Sequence, residues 1–454
     1  VEQSMPHVLI DDPNRPLHPA ARPTRTRVVV LAVLCLLAGI LYLDRICLSA
    51  ALDSIQADLR LTNTECSYVL MAFTLAYGLF EVPTGRWGDR IGGRRVLTRI
   101  SLWWSAFTAL TGACTGLWTL LVVRFLFGAG EAGAFPNVAR VLSRWFPDQE
   151  RGRAQGALLA ASSIGGALAP FFATVLIQSV GWRWSFVVFG GVGAVWALGF
   201  SLWFRDDPSR HPGVNAAEAA HIGRRATTGP VHDPIPWKAV AGNPSIWLLG
   251  LIMALSSFNT YIYFSWLPKY LTAARDVLKT EAGLMASVVL GFGSVGVLGG
   301  GILVDRIVRR GGGITSLRFL GGAAFFAAAG FLACALAVPH AWLATVLTAL
   351  SCLAAQSTQP LWWSFAIAVS GRHVGALFGL MNSFGVLGAM SSQYLVGALA
   401  DWREVRGYTG RARWDPGFHV DLVVLLCAGL AWLVLRTVTV ETSTAPREEV
   451  AGSA

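Results

Sequence analysis

The chain has 454 residues, of which 54% are hydrophobic and only 14% charged, and it carries a formal net charge of +10. Soluble domains average about 25% charged residues, and here the apolar excess falls in blocks of about 20 residues, the length that crosses a bilayer. This excludes an ordinary soluble protein, and a transmembrane barrel would show short alternating segments instead. The positive charge gathers in loops flanking the apolar blocks, as membrane topology requires. Nucleic acid is therefore not an expected partner. The seven cysteines are scattered without a CxxC pair, so neither a disulfide framework nor a metal site is expected.

In chain order, residues 1–27 are polar and proline-rich and are expected to form a disordered tail. The apolar run that follows is too long for a signal peptide and reads as a retained first helix. Spans are expected at 28–52, 65–85, 96–114, 117–142, 152–178 and 183–204, then at 245–269, 281–304, 316–337, 341–369, 373–400 and 418–437. Residues 205–243, charged and rich in proline, read as a linker. The expected organisation is a six-helix bundle over 28–204, a second over 244–438 and a tail over 439–454. Lys and Arg lie mainly in segments that share one side with the N-terminus, which places both chain ends in the cytoplasm. The stretch 401–417, with Arg403, Arg406, Arg411 and Arg413, reads as an outer loop and a partial exception.

The two halves carry a repeat. Gly85-Arg86-Trp87-Gly88-Asp89-Arg90-Ile91-Gly92-Gly93-Arg94-Arg95 follows span two, and Gly300-Gly301-Ile302-Leu303-Val304-Asp305-Arg306-Ile307-Val308-Arg309-Arg310 follows span eight. Asp89 and Asp305 occupy the same place in a six-helix unit, the signature of two parallel repeats around a midplane site. The first string resembles the loop signature of the major facilitator superfamily. That resemblance implies an all-α fold of twelve transmembrane helices in two pseudo-symmetric bundles. Asp89, Arg90, Asp305 and Arg306 would then gate the inner side, the carboxylates accepting hydrogen bonds from helix ends across the interface. The plainer reading is that these charges only anchor the loops.

Four charges sit inside the apolar spans: Asp44, Arg45, Arg124 and Glu131. Each costs about 3 kcal/mol or more at the bilayer centre, so a functional site is the default reading. Counted from the expected span ends, Arg45 and Arg124 lie at one depth, about 10 Å in. Paired guanidiniums at one level suit a carboxylate. Glu131 follows Arg124 by two helical turns on nearly the same face. Burial disfavours its charged form while the arginine favours it, which suits a group that binds and releases a coupling proton. The alternative for these residues is a structural salt-bridge network or a helix tether.

Around these charges the sequence resembles the anion:cation symporter family. The matching residues are Tyr42-Leu43-Asp44-Arg45, Tyr77-Gly78 with Pro83, Arg124-Phe125, Gly128-Ala129-Gly130-Glu131-Ala132-Gly133-Ala134-Phe135-Pro136, and Trp266-Leu267-Pro268-Lys269-Tyr270-Leu271. The resemblance implies proton-coupled import of an organic carboxylate, a sugar acid or aromatic acid. It makes Tyr42, Arg45, Tyr77, Arg124, Asn382 and Trp362 (with Trp363 as the alternative) substrate ligands, and Asp44 and Glu131 proton carriers. Glu81 departs from the family, which has a neutral polar residue there. Ser162-Ser163 stand where sugar-acid carriers have a larger amide.

The C-terminal half reads as free of intramembrane charge. It offers neutral hydrogen-bonders instead, Asn259, Tyr261 and Tyr263 among them, suited to the body of a substrate. The alternative is an organic anion/phosphate exchanger, whose relatives add a deep basic residue in span seven; here Lys269 stands only at the outer end. No catalytic motif appears, so neither an enzyme nor a cofactor other than the proton is expected. Partners are the carboxylate, protons and the lipid bilayer, for a chain acting as a monomer. Three lysines among 36 basic residues hint at a bacterial source, hence an inner membrane.

Overall fold

The computed structural model describes residues 22–223, 237–370 and 374–435. Among these the chain is helical, without strands. Six helical elements come first: α1 (Thr26–Leu59), α2 (Asn63–Ile91), α3 (Gly93–Thr111), α4 (Leu117–Glu131), α5 (Ala134–Trp145) and α6 (Asp148–Trp203). The short helices α7 (Ala216–Ile222) and α8 (Trp237–Gly242) follow. Then come α9 (Pro244–Arg275), α10 (Lys279–Arg309), α11 (Ile314–Ala337), α12 (Ala341–Gln356), α13 (Gln359–Ser370), α14 (Val374–Glu404) and α15 (Gly410–Val434). We call the side on which α1 begins the near face and the side on which it ends the far face.

Local chemistry explains the helix ends. At α2, Thr62 Oγ1 accepts from the Glu65 N–H at 3.1 Å while Glu65 accepts from the Thr62 N–H at 2.7 Å, a reciprocal cap written in the sequence as Thr-x-x-Glu. α1 ends at Arg60, whose φ of 53° turns the chain. α6 holds two passes in one run, bent where Gly181 takes φ 79°, a conformation that glycine adopts without a side-chain clash. The bend falls between the fifth and sixth expected spans. Several boundaries move: α1 runs on to Leu59, and residues 401–404 and 410–417, expected as loop, are helical. Local pairing holds the arginines there: Arg411 bonds Asp415 one turn on at 3.0 Å, and Arg413 bonds Glu404 across the α14–α15 connection at 2.5 Å.

Packing reveals the repeat. Within the first set α1 and α3 pack on α6, and α2 and α3 on α4; within the second α9 packs on α14 and α15, α11 on α15 and α12, and α10 on α12. Between the sets α2 meets α14, α10 meets α6, and α1 meets α9. Each contact has its counterpart when the sets are exchanged, as a pseudo-twofold arrangement requires. α1 and α9, opening the two sets, thus face each other at the centre.

The start of α1 is not loose. The Glu218 carboxylate of α7 accepts from the backbone N–H groups of Thr26 and Arg27, both at 3.1 Å, and from the Thr24 hydroxyl. Arg27 pairs with both Glu218 and Glu150. A carboxylate over a helix N-terminus satisfies donors that the helix cannot. Residues 22–27 of the expected disordered tail are therefore docked on the connection between the two sets, while residues 1–21 lie outside the described part.

Candidate functional site

Asp44, Arg124 and Glu131 are buried, Asp44 completely at 0% exposure. Arg45 donates from Nε to Glu131 Oε1, joining α1 to α4. The equal depth expected for Arg45 and Arg124 does not hold. Because α1 is longer than its apolar core suggests, Arg45 stands fourteen residues before Leu59. Glu131 stands fourteen after Leu117, and Arg124 only seven. At 1.5 Å per residue, Arg45 and Glu131 share a level and Arg124 sits about 10 Å nearer the far face. Arg124 and Asp44 lie within electrostatic reach of each other without bonding.

Close helix approach makes this possible. A Cβ at Gly128 would stand 2.5 Å from the Phe73 carbonyl oxygen, so only glycine lets α4 lie this tightly on α2. Phe73 then occupies the space between the two cations, its ring centre 5.5 Å from the Arg45 guanidinium and 5.4 Å from that of Arg124. Arg45 also lies 4.5 Å from the Tyr77 ring and 5.3 Å from the Tyr42 ring. Tyr42 packs edge-on against Phe135. These aromatic faces stabilise cations in a dry setting while leaving N–H groups unused. Arg45 Nη2, Arg124 Nε and Nη1, Glu131 Oε2 and both Asp44 oxygens have no hydrogen-bond partner. The arrangement therefore offers guanidinium donors beside carboxylate acceptors, the donor set for an entering anion.

The second set of helices closes the site. Tyr261 of α9 is within electrostatic reach of Arg45 and Glu131. Asn382 of α14 donates to Glu81 Oε2 of α2 at 2.7 Å, and Glu81 in turn feels Arg45. Asn382 is thus brought to the cluster through Glu81, a residue that departs from the family pattern. Trp362 is placed differently: it is buried and its Nε1 donates to the Leu249 carbonyl at 2.9 Å, while Trp363 is half exposed on the bundle surface. Asn259 is buried and donates to Asp421 Oδ2 at 2.8 Å.

Asp421 overturns the reading that the C-terminal half holds no intramembrane charge. It lies eleven residues into α15. Expected as a span from 418 onward, this helix begins eight residues earlier at Gly410, which puts Asp421 well inside it. Sequence reasoning also missed Phe73 and Tyr261 as neighbours of the arginines. A lone aromatic in a helix carries no signal for this.

Of the expected gating residues, only Asp305 and Arg306 have described side chains. Asp305 and Arg306 are exposed on α10, and among the described residues Asp305 pairs with Arg309 of its own helix, at 3.8 Å. The side chains of Asp89 and Arg90 lie outside the described part. Among the described residues, the far face is bridged between the two sets. Asp401 of α14 accepts from the Asn63 and Thr64 N–H groups at the start of α2, at 3.2 and 2.6 Å, and from their side chains. Lys269, 5% exposed, bonds Gln56 and lies 3.8 Å from Asp53. Thr272 donates to Asp53 at 2.8 Å, and Thr74 meets Gln393 at 3.0 Å.

Two pseudo-symmetric sets of apolar helices, the first holding a buried charge cluster that the second helps to close, define a multi-pass membrane transporter, not an enzyme. The chain belongs to the Major Facilitator Superfamily, whose family model matches residues 34–393. A probable sulfoacetate transporter of Cupriavidus necator is 34% identical over 373 residues, 81% of this chain and 86% of that protein. The D-galactonate transporter of Escherichia coli is 30% identical over 433 residues, 92% of this chain and 97% of that one. The fold resembles a crystal structure of a bacterial homologue of the human lysosomal transporter Spinster, inward-facing and unoccupied. The TM-score is 0.75 at 18% identity, over 90% of this chain and 97% of that one.

Proposed function

We propose that the protein is a proton-coupled importer of an organic carboxylate anion, working by alternating access between two six-helix bundles, residues 28–204 and 244–438. The observation that carries this is the set of unfilled guanidinium donors on Arg45 and Arg124 beside Glu131 and Asp44. An anion docking on the arginines competes with Glu131 for Arg45. A Glu131 that loses its cation while staying buried takes up a proton, because an unpaired buried carboxylate is costly. Anion and proton thereby bind together, and the loaded site carries little net charge through the low-dielectric interior. Release on the other side reverses both steps.

In this reading the near face is cytoplasmic, the membrane is the bacterial inner membrane, and each chain holds a complete pathway. Tyr42, Tyr77, Asn382 and Tyr261 surround the body of the substrate. The relatives named for sulfoacetate and D-galactonate support a small acid as the cargo class. The bridges at the far face fit a state closed to the outside, with the Asp89 and Asp305 loops engaging in the opposite state.

The test uses liposomes enclosing a pH dye, with sulfoacetate, sugar acids and aromatic acids added outside in turn. Lumen acidification with one acid, absent in Glu131→Gln, is the expected result. Exchange of preloaded phosphate or anion with no acidification would replace symport by exchange. The exchanger reading has little support, since Lys269 is engaged with Gln56 and Asp53 near the far end of α9.

A further inference from the structure

Asp421 has the features of a functional carboxyl that the charge cluster does not use. It is fully buried in a membrane-spanning helix, at 0% exposure. Oδ2 accepts from Asn259, a neutral amide, and Oδ1 has no partner. The Tyr263 phenol oxygen, itself without a hydrogen-bond partner, lies close enough to act on both Asp421 and Asn259. α15 packs on α9, α11 and α14. From α9 come Asn259 and Tyr263, and Cys352 of α12 is within electrostatic reach. Among the described residues α11 and α14 bring no charged side chain to it, and no cation pairs with it. A bare carboxylate in such a place is disfavoured, whereas a carboxylic acid supplies a donor where one is lacking.

The position of α9 ties this group to the other cluster. Asn259 and Tyr263 are one turn apart on one face of α9, and Tyr261 lies roughly 200° around the helix from each. The Tyr261 face reaches Arg45 and Glu131, and the opposite face holds Asp421. A helix that shifts when the central site fills or empties shifts both environments.

We propose that Asp421 is a proton-binding site of the second bundle, holding a proton on Oδ1 in this state and releasing it when α9 moves, so that the cycle carries a proton beyond those of Glu131 and Asp44. On release the O–H bond breaks, the proton passes to water, and the carboxylate left behind accepts from Asn259 Nδ2 and the Tyr263 hydroxyl. The proposal rests on the proton-coupled reading above, and the experiment separates the two.

The full chain is reconstituted in nanodiscs for infrared spectroscopy and in liposomes for flux. The wild type is expected to show a protonated-carboxyl stretch at neutral pH that shrinks as pH rises and shifts when the transported acid is added. One component of this absorption is absent in Asp421→Asn, which keeps the shape of the neutral acid, while stretches from Asp44 and Glu131 remain. This variant is expected to lose a proton from the proton-to-substrate ratio, while counterflow, which needs no net proton movement, falls less. A band absent from the wild type, or unmoved by pH and substrate, overturns the proposal without any variant. An unchanged ratio in Asp421→Asn overturns it while leaving proton coupling intact. A wild type that moves no proton with any acid overturns the coupling itself, and this site with it.

Discussion

The two helix sets bury carboxylates in different ways. Around α1 and α4, Glu131 is held by Arg45, and Asp44 lies near Arg124. Around α9 and α15, Asp421 accepts from the amide of Asn259 and lies near the Tyr263 phenol, neutral groups both. The first set offsets charge with charge and leaves donors over; among the described residues the second brings no cation to Asp421. The difference divides labour in a pseudo-symmetric frame. A site lined with guanidiniums attracts an anion and compensates its own acids. A site lined with neutral groups can hold only what makes its acid neutral. Repeats that share a backbone plan can therefore diverge into an anion site and a neutral one through a handful of side chains.

The largest effect expected is from breaking the compensated side. Arg124→Ala and Arg45→Ala each remove one partner of a buried charge set, a change worth about 3–5 kcal/mol, and both should abolish counterflow of the transported acid in liposomes. If Arg45→Ala still exchanges substrate at the wild-type rate, the anion does not bind there. Next comes Glu131→Gln, which should retain counterflow and lose concentrative uptake against a gradient. Uptake driven normally by a proton gradient would remove Glu131 from coupling. On the neutral side, Asn259→Ala leaves the Asp421 acceptor unsatisfied. It should lower stability by about 1–3 kcal/mol, read as a lower midpoint in thermal unfolding in detergent. A change only in transport, with no loss of stability, would assign Asn259 to the substrate instead.

Two smaller effects concern the frame that carries both sites. Asp401→Ala removes an N-terminal cap from α2, worth about 0.5–2 kcal/mol, and should shift the protein toward opening at the far face. The readout is faster labelling of a cysteine introduced at Thr74. Glu218 gives a pH effect at the near face. Burial pushes its carboxyl up, but hydrogen bonds from Thr24, the Arg27 and Thr26 backbone and the Arg27 side chain outweigh this and hold it below the usual glutamate range. A group lowered on folding stabilises the docked form at pH above that range and loses its contribution as pH falls through the lowered value. Docking of α7 on α1 should thus hold at neutral pH and weaken only in acid, seen as new proteolytic cleavage near Ala216–Ile222.

The charge cluster was legible because a charge inside an apolar block has a known cost whatever the fold. That rule found Asp44, Arg45, Arg124 and Glu131, and it applied equally to Asp421. The last was hidden by a boundary: with 401–417 read as loop, Asp421 appeared to stand at a membrane surface rather than deep in α15. The same kind of error set Arg45 and Arg124 at one depth, since polar residues such as Asp53 and Gln56 extend α1 past its apolar core. The pairing of Asn382 with Glu81 joins positions 301 apart, and no local pattern encodes it. Nor does local sequence say that Phe73 will lie between two guanidiniums; that follows from how close Gly128 lets α4 approach. The repeat, by contrast, was visible because both copies of the loop string survive.

The Asp401 contact turns a piece of secondary structure into a clock. The amide hydrogens of Asn63 and Thr64 are held by a residue of the other bundle, whereas that of Glu65 is held by its own neighbour Thr62. When the bundles part at the far face, the first two amides lose their acceptor and the third does not. Deuterium entering at Asn63 and Thr64, set against that at Glu65, would count openings of the native protein. The comparison needs no probe, no substitution and no knowledge of the cargo.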